Sequence, residues 1–225
     1  MSGTEARLTG LNRQEALIYL NYKGGAIPPD VDGQITRCES LVMQTAEPRL
    51  TYRRFDVLPD GSLAGTEFRP LGNDVKELLS TSVAVIVFAA TLGTRMDALI
   101  RRKQIAEMSD AVILDACASA AIENVCDNFC ADIADAEKPM YLTDRFSPGY
   151  GDLPFSQQPE FCRLLDVERR IGVTLSPGGL MNPQKSVTAL FGISPELQKK
   201  RFSGCANCTL FSNCAYRKGD TTCGR

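Results

Sequence analysis

The 225-residue chain contains no histidine. That absence removes Ser-His and Cys-His catalytic pairs, an imidazole general base and imidazole metal ligation, so any metal site has to be built from thiolates, carboxylates or backbone. A strong charge of either sign is also missing. The net charge of −2 gives no global attraction to nucleic acid or to a membrane surface. Long hydrophobic runs are missing too: the longest, SVAVIVFAATLG at Ser82–Gly93, is well short of the ~20 residues that span a bilayer. The opening MSGTEARLTG has no apolar core of the signal-peptide kind, which points to a cytoplasmic protein. No internal repeat, low-complexity linker or coiled-coil heptad is found.

What is present is an ordinary globular composition, 44% apolar and 23% charged, on a chain long enough for a real core. LNRQEALIYLNYKG (Leu11–Gly24) and DVDGQITRCESLVMQTA (Asp30–Ala46) read as helices. RLTYRRFDVLP alternates like a strand and ends in the turn signal Pro59-Asp60-Gly61. After a short helix, NDVKELLS, the apolar run at Ser82–Ala90 predicts a strand buried on both faces. The next stretch, to about Glu137, predicts two helices with a break near Met108–Asp110; the second is rich in Ala116, Ala118, Ala120 and Ala121, small enough for close backbone approach. QPEFCRLLDVERRIG reads as one helix closed by Gly172, and VTLSPGGLMNPQKSVTALFGIS as turns with one or two strands. The expected fold class is α+β: one main domain over residues 1–198, with mixed helices around a central antiparallel or mixed sheet, followed by a distinct tail over 199–225.

Nine cysteines need a reason in a reducing compartment, where a disulfide framework is not expected. Four of them, Cys205, Cys208, Cys214 and Cys223, form the pattern C-x2-C-x5-C-x8-C in the tail. Four thiolates at this density predict a metal centre, a [4Fe–4S] cluster or zinc. Zinc ribbons pair two C-x2-C knuckles and only one is present, which favours the cluster and leaves zinc as the alternative. Lys199, Lys200, Arg201, Arg217, Lys218 and Arg225 flank the thiolates. This positive charge suits an anionic cluster or a docked acidic electron donor, and equally a solvated basic tail. Of the scattered cysteines, Cys126 and Cys130 share a helix face while Cys117 lies about half a turn away, so core packing is the expectation for them.

The segment RFSPGYGDLP (Arg145–Pro154) mixes two prolines and two glycines with Arg145, Tyr150 and Asp152, which makes a rigid turning piece rather than a helix or central strand. Taken with the upstream DACASAAIENV and the downstream Met181, Pro183, Ser186 and Val187, it resembles the AdoMet-binding reactivation domain of cobalamin-dependent methionine synthase, in its free-standing form, over about Thr91–Ile193.

The resemblance implies S-adenosylmethionine as cofactor, cobalamin carried by a partner, and a part in methyltransferase activity and methionine biosynthesis. The function it implies is that of a stand-alone reactivation factor supporting reductive methylation of cob(II)alamin to methylcobalamin. The implied partners are a cobalamin-binding methionine synthase lacking this domain and an electron donor such as flavodoxin or ferredoxin, with neither nucleic acid nor membrane. An iron–sulfur redox module, or an activator of another corrinoid methyltransferase, is the alternative. By the resemblance Arg145 matches the arginine that holds the ligand carboxylate, Ser147, Pro148 and Gly149 the turn whose backbone faces the ligand, Tyr150 the pocket tyrosine and Glu123 a pocket glutamate. On residues alone, Arg145 would be a surface partner of Asp144 or Asp152, and Glu123 a solvated helix residue. The long synthase's early aspartate has no clear counterpart around LNRQEALIYL, its later tyrosine beyond Ser-Val is missing, and its fused domain has no cysteine tail.

Overall fold

The strand at Ala84–Thr91 (β2) organises the molecule, because every one of its residues is buried. Ala84, Ile86, Phe88 and Ala90 face one apolar cluster, and Val85, Val87 and Ala89 face another on the opposite side. Period-2 alternation with both faces covered is what produces the unbroken apolar run in the sequence. The computed structural model describes residues 6–22 and 24–198. The tail, with Cys205, Cys208, Cys214 and Cys223, lies outside the described residues.

The helices α1 (Arg13–Tyr19) and α2 (Pro29–Thr45) lead into β1 (Arg49–Asp56). Asn12 starts α1 by accepting from the Gln14 and Glu15 amides at 3.0 and 3.3 Å, and Pro29 opens α2 at a position where no N–H is needed. The short α3 (Asn73–Leu78), β2, α4 (Thr94–Ala106) and the 29-residue α5 (Met108–Ala136) follow. At 1.5 Å per residue, α5 is about 43 Å long. After it come β3 (Tyr141–Leu142), a 3₁₀ turn at Phe155–Gln157, α6 (Gln158–Leu165), α7 (Val167–Ile171), the β4 (Thr174–Leu175) and β5 (Met181–Asn182) hairpin, and β6 (Ser186–Ser194).

The main sheet has four strands in the order β1-β2-β6-β3, all antiparallel. α1, α2, α4 and α5 pack on the face of Phe88 and Phe191, and α3, α6 and α7 on the face of Val87 and Leu190. The fold is therefore α+β, with helical layers on both sides of one antiparallel sheet. Ala116, Ala118, Ala120 and Ala121 are buried in α5, which packs against α1, α2, α4 and β2 through this small-residue surface. Cys38, Cys117, Cys126 and Cys162 are buried in the two clusters and Cys130 is half-buried against the first, which matches the expected core packing. Burial pushes the Cys38, Cys117 and Cys162 thiols up to about 11, 12 and 11.

Two expectations are corrected in detail. QPEFCRLLDVERRIG is two helices rather than one, because Asp166 adopts a left-handed conformation (φ 52°) between them; aspartate tolerates that conformation, and its Oδ2 accepts from Arg169 Nε at 2.5 Å. The strand β3 was not foreseen, since two residues carry no readable alternation.

Candidate functional site

Arg145 is delivered by the edge of the sheet. Upstream of it, the Thr143 amide donates to Gly192 O (3.0 Å) and the Gly192 amide to Thr143 Oγ1 (2.8 Å). Downstream, Phe146 and Leu190 exchange two backbone bonds of 2.9 Å. Phe146 is fully buried in the cluster that holds Val87, so alternation sends its neighbour Arg145 to the other face, toward α5. There Arg145 Nη2 lies 2.9 Å from Glu123 Oε2 and 2.9 Å from Asp127 Oδ1. The structure thus brings Glu123 and Arg145 together. The ion pairs of Arg145 run to Glu123 and Asp127 on α5, so Glu123 is not a plain solvated helix residue. The second guanidinium nitrogen, Arg145 Nη1, is buried with no oxygen or nitrogen partner among the described residues, and the guanidinium also lies within hydrogen-bonding reach of the Cys130 thiol. Burial opposes the Arg145 charge and the Glu123 and Asp127 carboxylates favour it; on balance its pKa is held above the ordinary guanidinium value. Burial also pushes Cys130 up to about 11, although Arg145 draws it down.

Past Phe146 the chain turns. The Tyr150 amide donates to Ser147 O (3.0 Å), Gly149 to Leu153 O (2.8 Å) and Leu153 to Tyr150 O (3.1 Å), with Gly149 at φ 90° and Gly151 at φ 52°. Gly151 must be glycine for a second reason: a Cβ there would come within 2.7 Å of Phe146 Cζ and 2.5 Å of Asp74 Oδ2. Asp152 ties this turn to α3, accepting from the Asn73 and Asp74 amides at 2.6 and 3.1 Å, while Asp74 Oδ2 accepts from the Asp152 amide at 3.3 Å. This reciprocal capping is the real job of Asp152. Ser147 and Pro148 are half-buried, and Gly149 and Tyr150 are exposed. Tyr150 meets the buried Phe146 ring edge-on at 5.2 Å, and Phe155, itself exposed, packs between Gly149 and Gly179.

A second cation lies along the same helix. Lys185 Nζ reaches Asp115 Oδ1 at 2.8 Å and Ser119 Oγ at 2.9 Å. Its turn is fixed by the Gln184 amide donating to Asp97 Oδ2 (2.8 Å) and by Ser186 Oγ, 2.8 Å from Thr91 Oγ1 and 2.7 Å from Pro183 O. Asp115, Ser119, Glu123 and Asp127 recur every four residues, so they form one polar stripe on α5, clasping Lys185 at one end and Arg145 at the other. Between those ends β6 runs from Ser186 to Ala189 with β2 on one side, and among the described residues no strand pairs its other side. The result is an edge slot in outline: a polar helix stripe with a cation at each end and the Ser147–Tyr150 turn beside Arg145, along a strand margin whose Thr188 and Ala189 are themselves buried. Such a slot offers charged side chains of both signs to a small zwitterion.

Asp127, Asp115, Ser119 and Lys185 were not singled out from sequence. For Asp115, Ser119 and Asp127 the signal was there, as a four-residue polar spacing in an otherwise alanine-rich helix, but their cationic partners, Arg145 and Lys185, come from loops distant in the chain.

What these features define is a three-layer α+β domain with a polar slot at the margin of its antiparallel sheet. No family model matches the chain, and no curated protein does. Among solved structures it is similar to the crystal structure of the MetH reactivation domain bound to AdoHcy, with a TM-score of 0.59 at 14% identity, over 83% of this chain and 75% of that one. The chain therefore has the fold of that reactivation domain. Among the described residues no helix is long and apolar enough to cross a membrane.

Proposed function

We propose that the chain binds AdoMet in the edge slot and acts as a free-standing reactivation factor for a cobalamin-dependent methionine synthase that lacks such a domain. The observation that carries this reading is the convergence of Glu123 and Arg145 beside the Ser147–Tyr150 turn, in a fold shared with a domain solved with AdoHcy bound. The residues fit the ligand's amino-acid end. The Arg145 guanidinium can donate to its carboxylate, Glu123 can face its ammonium, and Gly149 at φ 90° permits close backbone approach. Ser147 and Pro148 supply the turn's backbone, and Tyr150 supplies a half-exposed wall.

AdoMet supplies a methyl group on a positively charged sulfur; with one electron, the partner's cob(II)alamin becomes methylcobalamin and AdoHcy leaves. The leaving group is a neutral thioether, so the chain needs no general acid or base, in keeping with its lack of histidine. Its own residues bind and orient the ligand, a contribution of position and electrostatics. The electron comes from a reduced donor such as flavodoxin or ferredoxin. The tail cysteines, Cys205, Cys208, Cys214 and Cys223, are proposed to hold a [4Fe–4S] cluster, with zinc as the alternative.

The test is reactivation. A methionine synthase without its own domain is allowed to oxidise to cob(II)alamin and then given this chain, AdoMet and a low-potential reductant. Methylcobalamin and turnover are expected to return, and to fail without AdoMet. Failure with a range of such synthases and other corrinoid proteins, by a chain that does bind AdoMet, rejects the reactivation role.

A further inference from the structure

The Arg145 cluster holds one carboxylate more than the guanidinium needs. Glu123 and Asp127 both approach the same Nη2 at 2.9 Å, so one positive charge faces two negative ones and the three groups sum to −1. The second cation of the stripe does not correct this, because Lys185 is committed to Asp115 and Ser119. Nor do the thiols beside the guanidinium add or remove charge, since burial keeps Cys126 and Cys130 protonated at neutral pH.

A ligand held there by its amino-acid end brings its sulfur close, a few bonds from the α-carbon. In AdoMet the carboxylate and ammonium cancel, and the sulfonium leaves a net charge of about +1 at neutral pH; in AdoHcy the sulfur is a neutral thioether and the net charge is about zero. The carboxylate and ammonium contacts are the same for both, so they cannot distinguish substrate from product. The surplus negative charge can. We propose that Asp127 is a specificity-determining residue that makes the slot prefer the sulfonium ligand over its demethylated thioether; this rests on the AdoMet reading above. Glu123 neutralises Arg145, and Asp127 supplies the charge that is felt at the sulfur. Once the methyl has left, that attraction disappears and product release is favoured.

Asp127 is 67% exposed, so solvent screens it and the discrimination is modest, roughly threefold to tenfold. Calorimetry on the full chain tests it with three probes: AdoMet, AdoHcy, and sinefungin, whose amine places a positive charge near the sulfur position without a transferable methyl. Asp127→Asn keeps an oxygen for Arg145 and removes only the charge. It should weaken AdoMet and sinefungin by that factor and leave AdoHcy within about twofold, and Asp127→Glu should restore the preference. Equal weakening of all three ligands would mean that Asp127 merely holds Arg145, and overturns the proposal, as does no change at all. A wild-type chain that binds AdoMet and AdoHcy equally overturns it too, while the AdoMet reading survives. If wild type binds none of the three, the AdoMet reading itself falls and takes the inference with it.

Discussion

Arg145 reaches its position through backbone ties on both sides, at Thr143 and at Phe146, so its guanidinium is presented rather than left to search. Truncation should therefore cost mainly a contact and little fold. Arg145→Ala is expected to lose a charge-assisted hydrogen bond worth about 1.5–3 kcal/mol, or roughly tenfold to a hundredfold in AdoMet affinity by calorimetry. Arg145→Lys should bind almost as poorly, because one ammonium cannot serve two carboxylates and a ligand in fixed directions as the planar fork does. Unchanged affinity in an Arg145→Ala variant with a native circular dichroism spectrum would remove the residue from the site. At this scale the sequence was informative only through resemblance. The RFSPGYG motif pointed to Arg145, and ENV to Glu123. Asp127 was legible only as one member of a four-residue polar spacing, since its meaning depends on Arg145, eighteen positions downstream in a loop that folds back over α5.

Elements were more legible, where one physical cause acts locally. The β2 strand was readable because burial on both faces leaves an unbroken apolar run, and the α4–α5 break because apolar periodicity falters near Met108. The α6–α7 break was not, because left-handed Asp166 is one residue among good helix formers. At the α2–α4–α5 junction, Asp110 accepts from Lys103 Nζ at 2.5 Å and from Gln34 Nε2 at 2.7 Å. The Lys103 hydrogen bond first, then the Gln34 one, hold its carboxyl below the usual value. A depressed folded pKa gives stability that is present above the ordinary carboxylate pKa near 4 and is lost as pH falls through the folded value. Asp110→Asn should therefore lower the melting temperature at pH 7, and the gap from wild type should close in strong acid. A gap that persists undiminished there would count against the ionised pair as its source. The turn that carries Tyr150 depends in the same way on Asp152 capping α3. Asp152→Ala should cost about 0.5–2 kcal/mol, a loss of a few degrees in melting temperature, and should weaken AdoMet binding by loosening the Ser147–Tyr150 turn.

At the scale of the whole molecule, the two apolar clusters seen among the described residues are built from residues before Gln198, whose side-chain amide donates to Leu78 O and Thr81 Oγ1. A chain truncated after Phe202 is therefore expected to fold with an unchanged melting temperature and to bind AdoMet as the full chain does. The removed cysteines should account for the metal: protein prepared without oxygen should contain iron and acid-labile sulfide in the full chain and neither in the truncated one, whereas stoichiometric zinc would make the tail a structural knot. The two compositions predict different behaviour in reactivation. If the tail holds a cluster, it can relay the electron toward the corrin. Truncation should then abolish reactivation driven by reduced flavodoxin or ferredoxin yet leave it intact with a small chemical reductant that reaches the corrin directly. A zinc knot predicts the same rate before and after truncation with either reductant, unless the tail also holds the partner, in which case both rates fall together. Comparing the two reductants on the two chains separates electron relay from docking, because only relay makes the loss depend on the identity of the donor.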